Sequence, residues 1–225
     1  MTERALSGRR IVVLGGTGSL GRAVVERFRS DGASVLVADT RPPADADLEY
    51  VAVDALDESS IAAAFAAAPR PQAVVNLIGG YTPPQPLSDL DIDVLRTQLE
   101  LNLVTAATVT KQAMPVLAAQ AGGAIVHVSS RVATEKGENG FAYSVSKLGV
   151  LRLVEAAAAE GRELGVRVNC IMPSIIDTPA NRAALPRAHH ERWPKPSELA
   201  AVLAFLVSGD AALISGAAIP VYGRA

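Results

Sequence analysis

The chain contains the run RIVVLGGTGSLG at residues 10–21. Its apolar first part is rich in β-branched residues and predicts a buried strand. Three evenly spaced glycines follow, and beyond them Leu20, Val24, Val25 and Phe28 recur at helical spacing, so the glycine loop is predicted to open a helix. Unpaired amides at the N-terminus of such a helix can bind a pyrophosphate, so the run predicts a nucleotide-binding loop.

Each glycine of this loop has its own task in the hypothesis. Gly15 allows the tight turn after the strand, Gly18 lets the backbone approach a phosphate, and Gly21 lets the helix pack closely on the strand. Ser19 can cap the helix or donate its hydroxyl to a phosphate. The alternative interpretation is a tight strand-to-helix turn that binds no ligand.

An acidic residue, Asp39, ends the second predicted strand about twenty residues after the loop. A carboxylate there accepts hydrogen bonds from an adenosine ribose and repels a 2′-phosphate, which favours NAD(H) over NADP(H). Arg41 lies two residues further on and can offset part of this repulsion, so NADP(H) remains an alternative. Asp54, just past the third predicted strand, either bounds an adenine pocket or is a solvated loop residue.

The composition limits the classes of protein to which the chain can belong. Its 225 residues are 49% hydrophobic and 20% charged, which suits one large core, and we expect a single domain over residues 1–225. A net charge of −2, with both signs dispersed, predicts neither a nucleic-acid partner nor a membrane partner. The lone Cys170 is expected to be a buried thiol in a reducing compartment, which favours a cytoplasmic location.

Short β-branched runs alternate with longer segments of helical period along the chain. This alternation predicts strand–helix units and a parallel sheet covered by helices on both faces. The segment SSIAAAF predicts a short helix with Ser59 or its neighbour as the cap. A long helical region is predicted for residues 88–119, with Pro115 kinking or ending it near its last turn. Another is predicted for residues 142–164, and we expect a second subunit to cover it because its apolar residues extend more than halfway round. The predicted strands are RIVVL, SVLVA, YVAV, AVVNL, AIVHVS, VRVNCI and AAIPV.

The segment SSRVATEKGENGFAYSVSK, residues 129–147, carries the residues that point to chemistry. Tyr143 and Lys147 are four positions apart at the start of a predicted helix, so their side chains share one face. A lysine beside a phenol, together with an oxidised nicotinamide, would lower the tyrosine pKa from about 10 toward neutrality, which suits a general acid or base. Ser130, at the end of the fifth predicted strand, can hold the oxygen of a carbonyl substrate. Arg131 either meets an anionic substrate group or forms a surface salt bridge, and the salt bridge is the simpler expectation.

Together these motifs resemble the short-chain dehydrogenase/reductase (SDR) family, and the resemblance covers almost the whole chain. It rests on the glycine loop, Asp39, NLIGG at residues 76–80, Asn102 in LELNLV, Ser130, YSVSK, VNCIMPSIIDTP and the closing FLVSGDAALISGAAIPVYG. The resemblance implies a Rossmann α/β fold, with a doubly wound, seven-stranded parallel sheet in the order 3-2-1-4-5-6-7. It also implies an NAD(P)(H)-dependent oxidoreductase that interconverts a carbonyl and an alcohol on a small organic substrate.

The same resemblance implies a catalytic tetrad of Asn102, Ser130, Tyr143 and Lys147. Tyr143 would exchange a proton with the substrate oxygen, and Lys147 would hold the nicotinamide ribose and lower the pKa of the phenol. Ser130 would orient the substrate, and Asn102 would hold a water of the proton relay. The implied cofactor contacts are Gly15, Thr17, Gly18, Ser19, Leu20, Gly21, Asp39, Asp54, Ala55, Ile78, Gly79, Tyr143, Lys147, Pro173, Ile176 and Thr178.

Several positions depart from the family pattern. Single-domain members usually carry a glycine in place of Ser19, NLIGG replaces the usual N-N-A-G, and MPS replaces the usual P-G. Dihydropteridine reductases share a similar loop, a GG pair after the fourth strand and a segment like DTPANR before a tryptophan such as Trp193, but they characteristically lack a serine at the position of Ser130. A dihydropteridine reductase, a nucleotide sensor without catalysis, and a dehydratase or epimerase remain alternatives. A homodimer or homotetramer is expected, with a substrate lid over residues 178–196.

Other aromatic and histidine residues have competing interpretations. The adjacent His189 and His190 point apart and predict a lid segment, so no metal site is expected. His127, in the middle of the fifth predicted strand, is predicted to be a hydrogen-bonded core residue. Tyr81 and Trp193 either line the substrate pocket or pack within the lid.

Overall fold

The fold is taken from a computed structural model that describes residues 5–135 and 140–224. In this part of the chain, seven strands form one sheet in which every neighbouring pair is parallel. The order is β3-β2-β1-β4-β5-β6-β7, as the family resemblance implies. The strands are β1 (Arg10–Leu14), β2 (Ser34–Asp39), β3 (Glu49–Ala52), β4 (Ala73–Asn76), β5 (Gly123–Val128), β6 (Val166–Pro173) and β7 (Ala218–Val221).

Helices connect these strands, and one of the connections contains a π-helical segment at Leu99–Val104. No helix in the described ranges combines the length and the apolar character needed to cross a bilayer. The α-helices are α1 (Ser19–Ser30), α2 (Glu58–Ala67), α3 (Ile92–Gln98), α4 (Thr105–Ala118), α5 (Phe141–Gly161), α6 (Pro179–Ala184) and α7 (Pro196–Val207).

The helices pack on both faces of the sheet because successive strand residues point to opposite faces. On β1, Val12 and Leu14 belong to one apolar cluster, and Ile11 and Val13 belong to the other. This two-sided burial accounts for the nearly continuous apolar runs of the strands. The first cluster includes Ile61 of α2, Val109 and Leu117 of α4 and Val154 of α5, and the second includes Phe28 of α1 and Leu199 and Leu203 of α7.

The direction of winding reverses at β1, which pairs with β2 on one side and with β4 on the other. Such a reversal opens a crevice outside the carboxyl ends of the strands, where open α/β sheets bind ligands. The glycine loop follows β1, residues 77–80 follow β4, and Ser130 follows β5. The fold therefore gathers these predicted site residues at one edge of the sheet.

The predicted long helices are present with one important difference. The region predicted as a single helix over residues 88–119 consists of a 3-10 turn, α3, the π-helical segment and α4. Pro115 lies inside α4, which continues to Ala118, so the proline falls in the last turn as predicted. The helix predicted for residues 142–164 is α5 followed by a 3-10 turn at Arg162–Leu164.

Two predicted helix caps are wrong. The cap of α2 is Asp57, whose side chain accepts the N–H of Ser59 at 2.9 Å, so Ser59 lies within the first turn. The cap of α1 is Gly18, and Ser19 is the first residue of the helix itself. Within the part of the chain that the structure describes, no side chain caps α1, which leaves amides of its first turn available to an anion.

Candidate active site

The glycine loop after β1 is a close-packed turn. Gly15 has φ +77°, a left-handed conformation that favours glycine, and its amide donates to the carbonyl of Ala38 at 2.8 Å. A Cβ at Gly21 would overlap the carbonyl oxygen of Gly15, so α1 can approach the loop only with a glycine there. A Cβ at Gly18 would make only an ordinary contact of 3.6 Å, which leaves the backbone of Gly18 accessible to a ligand.

Asp39, at the end of β2, is hydrogen-bonded to this loop. Its Oδ2 accepts the amide of Thr17 at 3.0 Å and the Thr17 hydroxyl at 2.8 Å. Burial raises the pKa of Asp39, but hydrogen bonds from Thr17 and from the backbone of Arg41 and Thr40 together outweigh it, and the net pKa lies below the usual aspartate value. A cleft of about 450 Å³ lies beside the pair, lined by Gly16, Thr17, Arg22, Val25, Glu26, Arg41, Pro42, Pro43, Ala44, Asp45 and Leu48.

The remaining residues implied as cofactor contacts occupy the same edge but differ in their surroundings. Asp54 is exposed and its Oδ1 accepts the amide of Leu56 at 3.0 Å, so this carboxylate caps its own turn, next to the half-buried Ala55. Leu20 packs against the α1 and α7 layer. Pro173 ends β6, the carbonyl of Ile176 accepts from Asn181, and Thr178 caps α6.

The loop after β4 is fixed by two side-chain amides. Asn76 Oδ1 accepts the amide of Ile78 at 3.1 Å. Asn102, in the π-helical segment, accepts the amide of Gly80 and donates to its carbonyl, both at 3.0 Å. A Cβ at Gly79 would stand 2.7 Å from Asn102 Oδ1 and 2.9 Å from Lys147 Nζ. Glycine at position 79 is therefore what allows both polar groups to reach this loop.

Tyr143 and Lys147 lie on the first turns of α5, as predicted from their spacing. Lys147 Nζ is 5.8 Å from the centre of the Tyr143 ring and donates to the carbonyl of Val128 at 3.1 Å. Burial lowers the pKa of Lys147 to about 8. Ser146, which the sequence analysis did not single out, accepts from Asn102 at 3.1 Å and donates to the Tyr143 carbonyl at 2.8 Å. Its position three residues after Tyr143 on the same helix was the available signal.

The Tyr143 phenol differs from the prediction in one respect. Its pKa is raised above the usual tyrosine value, chiefly by burial; the Ser130 side chain opposes the rise, and Tyr81 adds to it. The protein groups by themselves therefore raise the pKa of this phenol, whereas the prediction referred to Lys147 together with an oxidised nicotinamide. The reason is that the phenol has lost solvation, while the Lys147 ammonium lies over the ring, 5.8 Å from its centre, and donates its hydrogen bond to the Val128 carbonyl.

A cavity of about 200 Å³ adjoins the Tyr143 phenol, and we call it the Tyr143 cavity. The Tyr81 ring lines it and meets the Tyr143 ring edge-on, with 5.2 Å between centres and 84° between planes. Trp193, by contrast, is buried, and its ring centre lies 4.7 Å from that of His190, within the segment predicted as the lid. The cavity is lined by Tyr81, Thr82, Pro83, Pro84, Gln85, Leu90, Val94, Val132, Gly140, Ala142 and Tyr143.

Arg131 and the two adjacent histidines each have a partner within the protein. Arg131 Nε lies 2.5 Å from Glu135 Oε1, so the salt-bridge interpretation is confirmed. His189 pairs with Glu191 at 3.2 Å, and His190 is 2.7 Å from the Leu185 carbonyl. Across residues 5–135 and 140–224, no three or more His, Cys, Asp or Glu side chains cluster as a metal site would require.

His127 is a hydrogen-bonded core residue, as predicted. Asn76 Nδ2 donates to its Nδ1 at 3.3 Å, so the proton resides on Nε2, which is 2.9 Å from Thr110 Oγ1. Thr110 in turn donates to the carbonyl of Ala106 at 2.8 Å. This buried chain holds Asn76 in the orientation that accepts the Ile78 amide. It ties the loop after β4 to α4.

Comparison with known proteins gives consistent matches along the chain. A family model of the SDR type, described as enoyl-(acyl carrier protein) reductase, matches residues 15–223. The chain is 31% identical to cis-4-hydroxycyclohexanecarboxylate dehydrogenase of Sinomonas cyclohexanicum, over 97% of each. It is 29% identical to 7alpha-hydroxysteroid dehydrogenase of Bacteroides fragilis, over 95% of this chain and 92% of that protein. A solved SDR structure from Mycobacterium ulcerans superposes with a TM-score of 0.91 at 26% identity, covering 98% of this chain and 90% of that one.

A doubly wound parallel sheet with a glycine loop and a Tyr–Lys pair at its carboxyl edge defines a Rossmann-type oxidoreductase. The chain belongs to the short-chain dehydrogenase/reductase family, whose members use NAD(P)(H). It is an oxidoreductase of the kind that acts on hydroxyl or carbonyl groups.

The buried His127 makes folding stability depend on pH. Burial, with a smaller effect from Lys147, lowers its pKa from 6.5 to about 4, so the unfolded chain binds a proton more tightly between these pH values. The contribution is complete above about pH 6.5 and is lost as the pH falls toward 4. We expect wild type to lose about 3 kcal/mol more than His127→Gln between pH 7 and pH 4. Urea unfolding at both pH values measures this, and parallel losses would contradict it.

Proposed function

We propose that this chain interconverts a carbonyl and an alcohol on a small organic substrate, with NAD(H) as the favoured cofactor and Tyr143 as the general acid or base. The observation that carries the proposal is the meeting of a buried lysine and a phenol beside an apolar cavity. Lys147 lies between the Tyr143 ring and the Gly79 loop, at the edge where parallel sheets bind ligands. The relatives named for alicyclic and steroid alcohols support this class of reaction.

The residues at the carboxyl edge fit a dinucleotide. The uncapped N-terminus of α1 and the open backbone at Gly18 suit a pyrophosphate, and the ionised Asp39 suits a ribose. When bound, NAD(H) supplies the acceptor or the donor of hydride. The residues that we propose to hold it are Gly15, Thr17, Gly18, Ser19, Leu20, Gly21, Asp39, Asp54, Ala55, Ile78, Gly79, Tyr143, Lys147, Pro173, Ile176 and Thr178.

The protein's own part in the reaction is to hold the substrate oxygen and to move a proton. In the direction of reduction, Tyr143 donates its phenolic proton to the carbonyl oxygen, and the Ser130 hydroxyl donates a hydrogen bond to the same atom. Burial raises the pKa of Tyr143 and keeps the phenol protonated near neutral pH. The Lys147 ammonium stabilises the phenolate that remains after transfer.

Asn102 supports this arrangement as a positioning residue. Its amide is occupied by Gly80, Gln98 and Ser146, so the side chain ties the loop after β4 to α5. Ser146 passes the contact on to the backbone of Tyr143. We propose this bridging role for Asn102 beside the water-holding role that the family resemblance implies.

Replacing Tyr143 separates proton transfer from nucleotide binding. We expect Tyr143→Phe to lower kcat for ketone reduction by roughly 10²–10⁴-fold, because it removes the transferred proton and keeps the ring. NADH affinity, measured by fluorescence titration, should stay within about twofold of wild type. Tyr222→Phe, outside the Tyr143 cavity, is the matched control and should keep full activity.

The substrate panel for this test contains ring ketones, ring alcohols and a quinonoid dihydropteridine. Turnover of the pteridine alone would favour the dihydropteridine reductase alternative. Tight NADH binding with no turnover of any compound would favour a nucleotide sensor. Undiminished turnover by Tyr143→Phe would overturn the proposed mechanism.

Cofactor preference depends on the charge of Asp39 in this proposal. We expect wild type to have a higher kcat/KM with NADH than with NADPH, and Asp39→Ala to lower this ratio by about tenfold, since a repulsion of roughly 1.4 kcal/mol is removed. Parallel kinetics with the two nucleotides, at one ionic strength, measure the ratio.

Asp54→Ala is the control for the cofactor experiment. Its side chain caps the turn after β3, and we propose only a contact near the adenine, so any loss should be equal for the two nucleotides. A wild-type preference for NADPH would contradict the assignment of Asp39.

We also propose a homodimer or homotetramer formed through the outward face of α5. Leu148 and Phe141 on this helix are 50% and 41% exposed, and Val104 of the adjacent π-helical segment is 43% exposed. A second copy would bury these apolar side chains. Sedimentation equilibrium should give two or four times the monomer mass, and a monomer at micromolar concentration would contradict it.

The buried free thiol of Cys170 suits a single-domain protein of the reducing cytoplasm.

A further inference from the structure

The wall of the Tyr143 cavity is largely apolar and carries no charged side chain among the described lining residues. Its volume of about 200 Å³ is below the roughly 300–1,000 Å³ of sites for drug-sized ligands. Apolar side chains dominate the wall, and none of the described lining residues is an acid, a lysine, an arginine or a histidine. Arg131 precedes the lining residue Val132, but its guanidinium group is paired with the carboxylate of Glu135. The wall therefore suits a small, uncharged molecule.

One side chain in this wall has unused hydrogen-bonding capacity. Gln85 Oε1 is buried and has no hydrogen-bond partner, unlike almost every other buried side-chain oxygen or nitrogen of the described residues. A buried polar atom without a partner costs about 1–3 kcal/mol. Gln85 is one of the residues that line the Tyr143 cavity, so a turn of its amide would let Oε1 accept a hydrogen bond from a ligand group there.

The backbone holds Gln85 at this place. It lies in the run YTPPQP, residues 81–86, with Pro84 before it and Pro86 after it. The two proline rings fix their own φ angles, and Pro86 restricts the backbone of Gln85 as well. The terminal torsion of a glutamine is soft, so the amide can turn toward the cavity while its backbone stays in place.

We propose that Gln85 determines substrate specificity by accepting, through Oε1, a hydrogen bond from a hydroxyl group of the substrate that is remote from the reacting carbon. This inference rests on the proposed function and names the class of substrate: an uncharged, single-ring or similarly small hydroxy ketone, or the corresponding diol. Tyr143 and Ser130 hold the reacting oxygen at one end of the cavity. Gln85 holds the second oxygen, and the apolar wall contacts the carbon skeleton between them.

The geometry explains why such a residue discriminates strongly. A site that hydrogen-bonds a substrate hydroxyl rejects the analogue that lacks it, because its own polar atom is then left unpaired in a desolvated place. Among residues 5–135 and 140–224, no group donates a hydrogen bond to this Oε1. A bound ring that carries a hydroxyl group supplies the missing hydrogen bond to Oε1. A bound ring without a hydroxyl group leaves Oε1 unpaired.

The test compares three ketones that share one ring: cyclohexanone, 4-hydroxycyclohexanone and 4-methoxycyclohexanone. We expect wild-type kcat/KM to be on the order of tenfold higher for the hydroxy ketone than for either other ketone, mainly through KM, since one neutral hydrogen bond of about 1.4 kcal/mol is at stake. Gln85→Leu should abolish this preference and retain turnover of cyclohexanone. Gln85→Glu keeps an accepting oxygen and should therefore retain the preference for the hydroxy ketone that Gln85→Leu loses.

Gln120→Leu is the matched control. Gln120 lies just before β5, at the opposite edge of the sheet, where it accepts from Arg70, and this variant should keep the wild-type preference. Equal wild-type kinetics for the three ketones, or equal gains from hydroxy and methoxy groups, would overturn the inference. So would a clear preference for 4-oxocyclohexanecarboxylate, because the described wall offers no counter-charge.

A binding measurement separates this inference from the proposed function. Calorimetry with NADH present compares 1,4-cyclohexanediol with cyclohexanol on wild type and Gln85→Leu. If none of the ketones turns over, the proposed function fails, yet tighter binding of the diol to wild type alone would still support Gln85 as the recognition residue. Equal binding of the two alcohols to both proteins would overturn it.

Discussion

A buried ammonium group governs the geometry of this site. Lys147 is 5% exposed, and burial lowers its pKa to about 8. A buried cation requires polar partners, and the carbonyl of Val128 is one of them. The space for Nζ exists because position 79 has no side chain. Tyr143 precedes Lys147 by about one helical turn, so the helix that buries the cation also sets the phenol against the cavity.

The π-helical segment brings a second polar group, the Asn102 amide, close to Gly79. A π-helical turn widens the backbone and often occurs at functional sites. Here it places Asn102 where one amide meets the Gly80 backbone, the Gln98 side chain and Ser146. Three chain segments that are far apart in sequence are thereby joined through one side chain. The loop after β4 is rigid because Asn76, held by His127, fixes its other end.

The sequence predicted the sheet well because its information is local: alternating strand and helix periods, and a glycine loop between them. Tyr143 and Lys147 were likewise evident from spacing along one helix. The π-helical segment was missed because its side-chain bonds reach Gly80 and Ser146, and LELNLV carries no local sign of them. Ser19 was a reasonable cap by residue type, but Gly18 takes that position. The Tyr143 pKa depends on burial and on Tyr81, which only the assembled fold reveals.

The carboxylate of Asp39, which we propose as a cofactor contact, is held in its ionised form by the glycine loop. Thr17 occupies Oδ2 with two hydrogen bonds, which lowers the pKa of the carboxyl although burial acts the other way. The group is therefore anionic throughout the physiological pH range, and protonation cannot relieve its repulsion of a phosphate. Oδ1 accepts from the Thr40 hydroxyl at 3.4 Å, so both carboxylate oxygens have partners within the protein. The same two hydrogen bonds anchor the glycine loop to β2, so one contact stabilises both the shape of the loop and the ionised form of Asp39.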